Sequence, residues 1–136
     1  MSAAENKKLI AEAYDALARG DRRPLGALFA DTVSWDMIGA TAWSGLYEGK
    51  EAVYRDLLGP LFAQFGDVYT NRALRIIAED DIVVVECRGK VTTKTGKPYD
   101  NTYCFIYRME DHRIVRITEY LDTALVDSAL EPPIRA

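Results

Sequence analysis

Asp36 is the first residue whose setting could support chemistry. It ends a short apolar segment, between Trp35 and Met37-Ile38 and just before Gly39. Large apolar neighbours disfavour the charged form of a carboxylate, which raises its pKa and makes it a better base near neutrality. The same position also suits a surface Asp accepting a turn hydrogen bond at a strand end. Tyr14 lies on the stripe set by Ile10, Tyr14 and Leu17. A hydroxyl on that inward stripe needs a partner, either a backbone carbonyl in the core or a ligand oxyanion in a cavity.

A second group lies further along the chain. Glu86 and Arg88 interrupt a Val-rich segment and share a face with Ile82 and Val84, because side chains alternate along a strand. Glu119 and Asp122 end the last such segment on opposite faces. Glu86, Arg88 and Glu119 would form either a polar cluster inside the fold or a solvated row of cross-strand ion pairs. Parity leaves both open, since Val83, Val85 and Cys87 make an equally good core face. Tyr99, Tyr103, Phe105 and Tyr107 share one face. Such an aromatic wall serves a core, a dimer interface or a pocket for a flat apolar ligand. Trp43, Tyr47 and Phe62 extend it, and Trp35 and Leu121 lie beside the candidate acids.

The elements that must position these residues change period near the middle of the chain. Ser2-Ala3-Ala4-Glu5 has capping-box spacing and opens a helix that Gly20 stops. Pro24 opens a short second helix with Leu25, Leu28 and Phe29 facing inward. A strand over Thr32 to Met37 precedes a third helix after Gly49, with Val53, Leu57, Leu61 and Phe65 on one stripe and Tyr54, Leu58 and Phe62 beside it. Gly59-Pro60 predicts a kink or break in that helix. Val68 to Ala78, Ile82 to Thr93, Thr102 to Met109 and Ile114 to Leu121 then read as strands, joined by polar turns. This order predicts an α+β fold, with three helices from the N-terminal half wrapped around a cone-shaped, curved antiparallel sheet. The hollow mouth of the cone is where a pocket belongs.

Composition narrows the function. The chain has 136 residues, 49% of them hydrophobic and 28% charged, which predicts one domain, and Pro132-Pro133 marks a tail past the last element. Seventeen Lys and Arg against 21 Asp and Glu give a net charge of −4, without the basic cluster that nucleic acid requires. No apolar run is long enough to span a membrane and the N-terminus lacks a signal-peptide core, so the expectation is a cytoplasmic protein. Cys87 and Cys104 read as reduced, buried thiols. With two Cys and one His there is no metal-ligand spacing, and no phosphate-binding glycine loop is present. No cofactor is expected; a carboxylate-only metal site stays open, but nothing in the sequence points to one.

Taken in order, Ala13-Tyr14-Asp15-Ala16-Leu17, Gly20-Asp21, Leu28-Phe29-Ala30-Asp31, Trp35-Asp36, Gly49-Lys50-Glu51-Ala52-Val53 and Glu119-Tyr120-Leu121-Asp122 form a recognisable series. It resembles the SnoaL-like and ketosteroid-isomerase-like group of the nuclear-transport-factor-2-like superfamily over about residues 5–127, nearly the whole chain, which implies a single domain with 128–136 as its tail. The resemblance implies a small hydrophobic ligand in the cone and a homodimer formed through the outer face of the sheet. In the ketosteroid isomerase pattern, Tyr14 matches the tyrosine donor to an enolate oxygen and Asp36 matches the general base. Tyr103 stands where that pattern has a second donor, a protonated aspartate. In the SnoaL-like cyclase pattern, Asp122 or Glu119 matches an acid/base residue on the last strand. The Asp-Arg-Asp set of epoxide-hydrolase-like members is not reproduced, since Arg88 is followed by Gly89-Lys90. Enolisation of a hydrophobic carbonyl compound is the activity implied, and a non-catalytic binding or dimerisation module is the alternative.

Overall fold

Ser2 starts the first helix as its spacing predicts. Its hydroxyl accepts from the Glu5 backbone N–H at 3.1 Å, and its own N–H donates to Glu5 Oε1 at 3.0 Å. Helix α1 (Ala3–Leu17) buries Ile10, Ala13, Tyr14 and Leu17 along one stripe. Helix α2 (Arg23–Ala27) opens with Pro24 in its first turn. The computed structural model describes residues 2–134.

Strand β1 (Phe29–Met37) begins earlier than expected, so Phe29 enters the core from a strand and not from α2. A short β2 (Gly45–Glu48), not foreseen, pairs back on it. The third helical region is not broken at Gly59-Pro60. It runs as α3 (Lys50–Ala52), a π-helical segment (Val53–Leu58) and α4 (Gly59–Phe62), with the Gly59 N–H bonding the Tyr54 carbonyl five residues back. Pro60 supplies no N–H and crowds the preceding turn, and widening that turn accommodates it without ending the helix.

Strands β3 (Thr70–Glu79), β4 (Ile82–Lys90), β5 (Thr102–Glu110) and β6 (Arg113–Leu121) complete a six-stranded curved sheet in the order β2-β1-β6-β5-β4-β3. Neighbours pair antiparallel except β1 and β6, which are parallel, so the sheet is mixed at that seam. Asp80, Asp111 and His112 sit at positive φ in the two tight hairpins, a conformation that Asp and His tolerate better than most residues. Helix α5 (Thr123–Ala129), also unforeseen, follows β6. Gln64 clasps the Glu131 backbone with both ends of its amide, and Trp43 Nε1 donates to the same carbonyl at 3.0 Å. The segment read from sequence as a tail is thus tied down through Glu131.

Candidate functional site

The helical layer and the inner face of the sheet enclose a cavity of about 300 Å³. Both stripes of the third helical region contribute to its wall, through Leu57, Leu61, Phe65, Leu58 and Phe62. Trp35 and Phe105 line the sheet side, edge to face with ring centroids 6.0 Å apart. The deep end is polar and buried: Glu119, Tyr14, Tyr103, Tyr107 and Asn71. The rim carries exposed Arg22 and Arg23 from the start of α2, with partly exposed Tyr54.

Glu119 is the ionisable group at that deep end, with only 5% of its surface exposed. Trp35 Nε1 donates to its Oε1 at 2.8 Å. Oε2 has no hydrogen-bond partner among the described residues, so one face of the carboxylate is left for a ligand. Burial pushes its pKa up to about 7, while the Trp35 bond pulls the other way. Near neutrality the group is therefore divided between acid and carboxylate, the condition a proton shuttle needs.

Tyrosines surround it by register. Glu119 lies opposite Phe105 in the β5–β6 pair, and Tyr103 and Tyr107 stand two residues to either side on the same face. The Tyr107 and Tyr14 hydroxyls are 2.6 Å apart. The Tyr103 hydroxyl interacts with that of Tyr69, which also accepts from Asn71 Nδ2 at 3.0 Å. Burial holds Tyr14, Tyr69, Tyr103 and Tyr107 above the usual phenol range, so all four remain protonated donors at neutral pH. The Tyr14–Tyr107 pair shares one hydrogen, which leaves the second free to donate to a ligand oxygen, while the Tyr103 hydroxyl also bonds that of Tyr99. Gly89 makes room for this arrangement: a Cβ there would lie 2.9 Å from the Tyr103 ring and 3.0 Å from the Tyr69 hydroxyl. Behind the pair, burial raises the Cys87 thiol to about 12, so it stays a neutral packing group.

Of the residues singled out from sequence, the structure brings Tyr14, Trp35, Phe62, Tyr103, Phe105 and Glu119 to the cavity. Asp36 is not there. Val33, Trp35 and Met37 take the inner face of β1, so Asp36 points outward, where its Oδ2 accepts from Arg116 Nη2 at 3.4 Å. Asp122 is also displaced, because it caps α5 and accepts from the Ala124 and Leu125 backbone N–H groups. Glu86 and Arg88 occupy the outer face of β4, with Glu86 paired to Arg75 at 3.2 Å, while Val83, Val85 and Cys87 face inward. Trp43 and Tyr47 are buried away from the cavity, the Tyr47 hydroxyl donating to the Trp43 carbonyl at 2.6 Å. Leu121 packs against the core without lining the cavity.

Sequence reasoning missed Tyr69, Asn71 and Arg22 as site residues, and it placed Tyr107 only within an aromatic wall. Tyr69, just before β3, and Asn71, within it, stand two residues apart, a spacing that could have flagged them. Nothing local marks Arg22. Among the described residues no group of three or more His, Cys, Asp or Glu could hold a metal ion, and no helix is long and apolar enough to cross a membrane.

Comparison with known proteins accords with this architecture. Bal32a, from a soil-derived mobile gene cassette, is 24% identical and superposes with a TM-score of 0.80 over 95% of this chain and 98% of its own. A candidate isomerase from Bacillus subtilis is 22% identical, with a TM-score of 0.76 and 95% of each chain covered. A candidate SnoaL-like polyketide cyclase from Jannaschia sp. CCS1 is 15% identical, with a TM-score of 0.75 over 96% of this chain and 94% of its own. At these identities the likeness is one of fold. A search of curated proteins gave no match. The sequence model for the SnoaL-like domain matches residues 10–117, and the chain belongs to that family.

Proposed function

We propose that this protein is an acid/base enzyme that enolises a small hydrophobic carbonyl compound, with Glu119 as the proton shuttle. The observation carrying this reading is one buried carboxylate at the tyrosine-lined end of an apolar cavity, where burial pushes its pKa up to about 7. Ionised Glu119 takes a proton from the carbon α to the carbonyl, and the electron pair moves onto the carbonyl oxygen. The resulting enolate oxygen accepts hydrogen bonds from Tyr103 or from the Tyr14–Tyr107 pair, donors already in place and shielded from water. Protonated Glu119 then returns the proton to another carbon of the conjugated system. That completes an isomerisation and leaves the enzyme unchanged. The role given to Asp36 by resemblance to ketosteroid isomerases passes to the last strand, as in the cyclase pattern.

The test is conversion of a β,γ-unsaturated ketosteroid, or a smaller bicyclic analogue, to its conjugated enone, followed by absorbance. Glu119→Gln should lose turnover by about 10²–10⁴-fold, the range usual for removal of a general acid/base, while still binding a product-like phenol. Unchanged turnover in that variant would remove Glu119 from the mechanism.

We also propose that two copies pair through the outer face of the sheet, where Leu74, Ile77 and Tyr120 are 43%, 55% and 46% exposed. A monomer in analytical ultracentrifugation at micromolar concentration would contradict this.

A further inference from the structure

Three charged side chains line the cavity: Glu119 at the deep end, Arg22 and Arg23 at the rim. The two arginines are not equivalent. Asp21 already holds Arg23 through a fork, with Nε donating to Oδ1 at 2.9 Å and Nη2 donating to Oδ2 at 3.0 Å. Arg22 has no carboxylate partner among the described residues. Its guanidinium lies over the Phe62 ring instead, 3.7 Å from the centroid. Stacking of this kind fixes the plane of the cation while leaving its edge N–H groups free to donate. Since Phe62 is itself part of the cavity wall, the free positive edge sits where an apolar ligand would emerge.

The slot is therefore polarised along its length. A carboxylate lies at one end, an unneutralised cation at the other, and apolar walls run between. An anionic group pushed in first would lose its hydration among Leu57, Trp35 and Phe105 and then meet Glu119. Left at the rim, the same group stays hydrated and gains a charge-assisted bond to Arg22. A ligand with an anion at one end thus has a single favourable orientation, with its uncharged end at Glu119 and the tyrosines.

We propose that the substrate is an amphiphilic acid, an apolar carbonyl compound that bears a carboxylate at the end remote from the reacting carbonyl and docks it on Arg22. The acid/base reading above supplies the identity of the reacting end, and the rim contact adds the class of substrate.

Binding of 4'-hydroxybiphenyl-4-carboxylate and of its methyl ester, measured by titration calorimetry, tests this without turnover. The phenol stands in for the enol, and the two probes differ in charge at the far end. Wild type should bind the acid about fivefold more tightly than the ester, the scale of one partly exposed ion pair. Added salt should shrink that preference, and Arg22→Gln should level the two affinities. Arg22 is an exposed side chain, and far-ultraviolet circular dichroism would verify that the variant folds. The proposal is overturned by equal affinities in wild type, by a preference that survives in Arg22→Gln, or by failure of the acid to bind wild type. Repeating the pair on Glu119→Gln separates the two readings. A retained acid preference there supports the Arg22 contact whatever that variant does to turnover, and a lost turnover with no acid preference in wild type removes only the Arg22 contact.

Discussion

The Trp35 indole N–H donates to Glu119 Oε1 across 2.8 Å, joining the inner faces of two parallel neighbouring strands, β1 and β6. It is the polar contact that holds the carboxylate in an apolar recess, and it opposes the effect of burial on its pKa. Trp35→Phe keeps aromatic packing against Phe29 and Phe105 but removes the donor. Glu119 should then hold its proton to higher pH, and the acid limb of the pH–rate profile should move up by about one pH unit, as expected for a lost charge-assisted bond. An unmoved limb would mean that Trp35 does not tune the base.

The raised pKa of Glu119 also sets how stability depends on pH. Its ordinary value is 4.5 and its folded value about 7. Below 4.5 the group is protonated whether folded or unfolded and contributes no difference. Between the two values the folded state holds the extra proton, so stability falls as pH rises. Above 7 the folded protein carries the full cost of a buried charge, on the order of 3 kcal/mol. Against Glu119→Gln, wild type should therefore lose melting temperature progressively across this window. Parallel curves for the two proteins would show that Glu119 titrates normally.

Asp36, the base suggested by resemblance, should prove dispensable. It forms a 3.4 Å ion pair with Arg116 on the outer face, with the two side chains 34% and 44% exposed. Pairs of that kind contribute about 0–1 kcal/mol. Asp36→Asn should thus unfold in denaturant within about 1 kcal/mol of wild type and retain its turnover.

The Tyr14–Tyr107 pair predicts non-additivity. Removing one hydroxyl leaves the other buried without its 2.6 Å partner, at a cost of about 1–3 kcal/mol. Tyr14→Phe and Tyr107→Phe should each destabilise by that much in urea unfolding, and the double variant by clearly less than their sum. Additive losses would mean that the two hydroxyls are not coupled.

Why one acid was legible and the other was not comes down to strand irregularity. In β1 the apolar residues Val33, Trp35 and Met37 recur at spacing two and take the inner face, which turns Asp36 outward. In β6 the register against β5 slips between Arg108 and Met109, so Val115 has no direct partner and both Ile114 and Ile117 reach the core. A bulge of this kind shifts parity within one strand. From sequence, Glu119 could therefore face either way.

The helices and the aromatic face of β5 were legible because their periods are regular. Tyr103, Phe105 and Tyr107, with Leu57, Leu61 and Phe65 and the neighbouring Tyr54, Leu58 and Phe62, all reach the cavity wall, while Tyr99, which precedes β5, packs on Phe65 outside it. Helix α5 is short, and its one start signal, Asp122 before Thr123-Ala124-Leu125-Val126, is the same residue that the cyclase pattern assigns as an acid. Arg22 acquires its place only when α2 meets Phe62 from a distant helix, a relation absent from local sequence.

Titration of Glu119 itself is the most direct measurement. Carboxyl carbon chemical shifts followed by NMR in wild type, with Glu119→Gln used to assign the resonance, would read its midpoint. A buried acid/base group at the end of the cavity should titrate near 7, well above its ordinary 4.5. A midpoint at or below 4.5 would mean a solvated or ion-paired carboxylate, and Glu119 could not then serve as the neutral-pH proton shuttle.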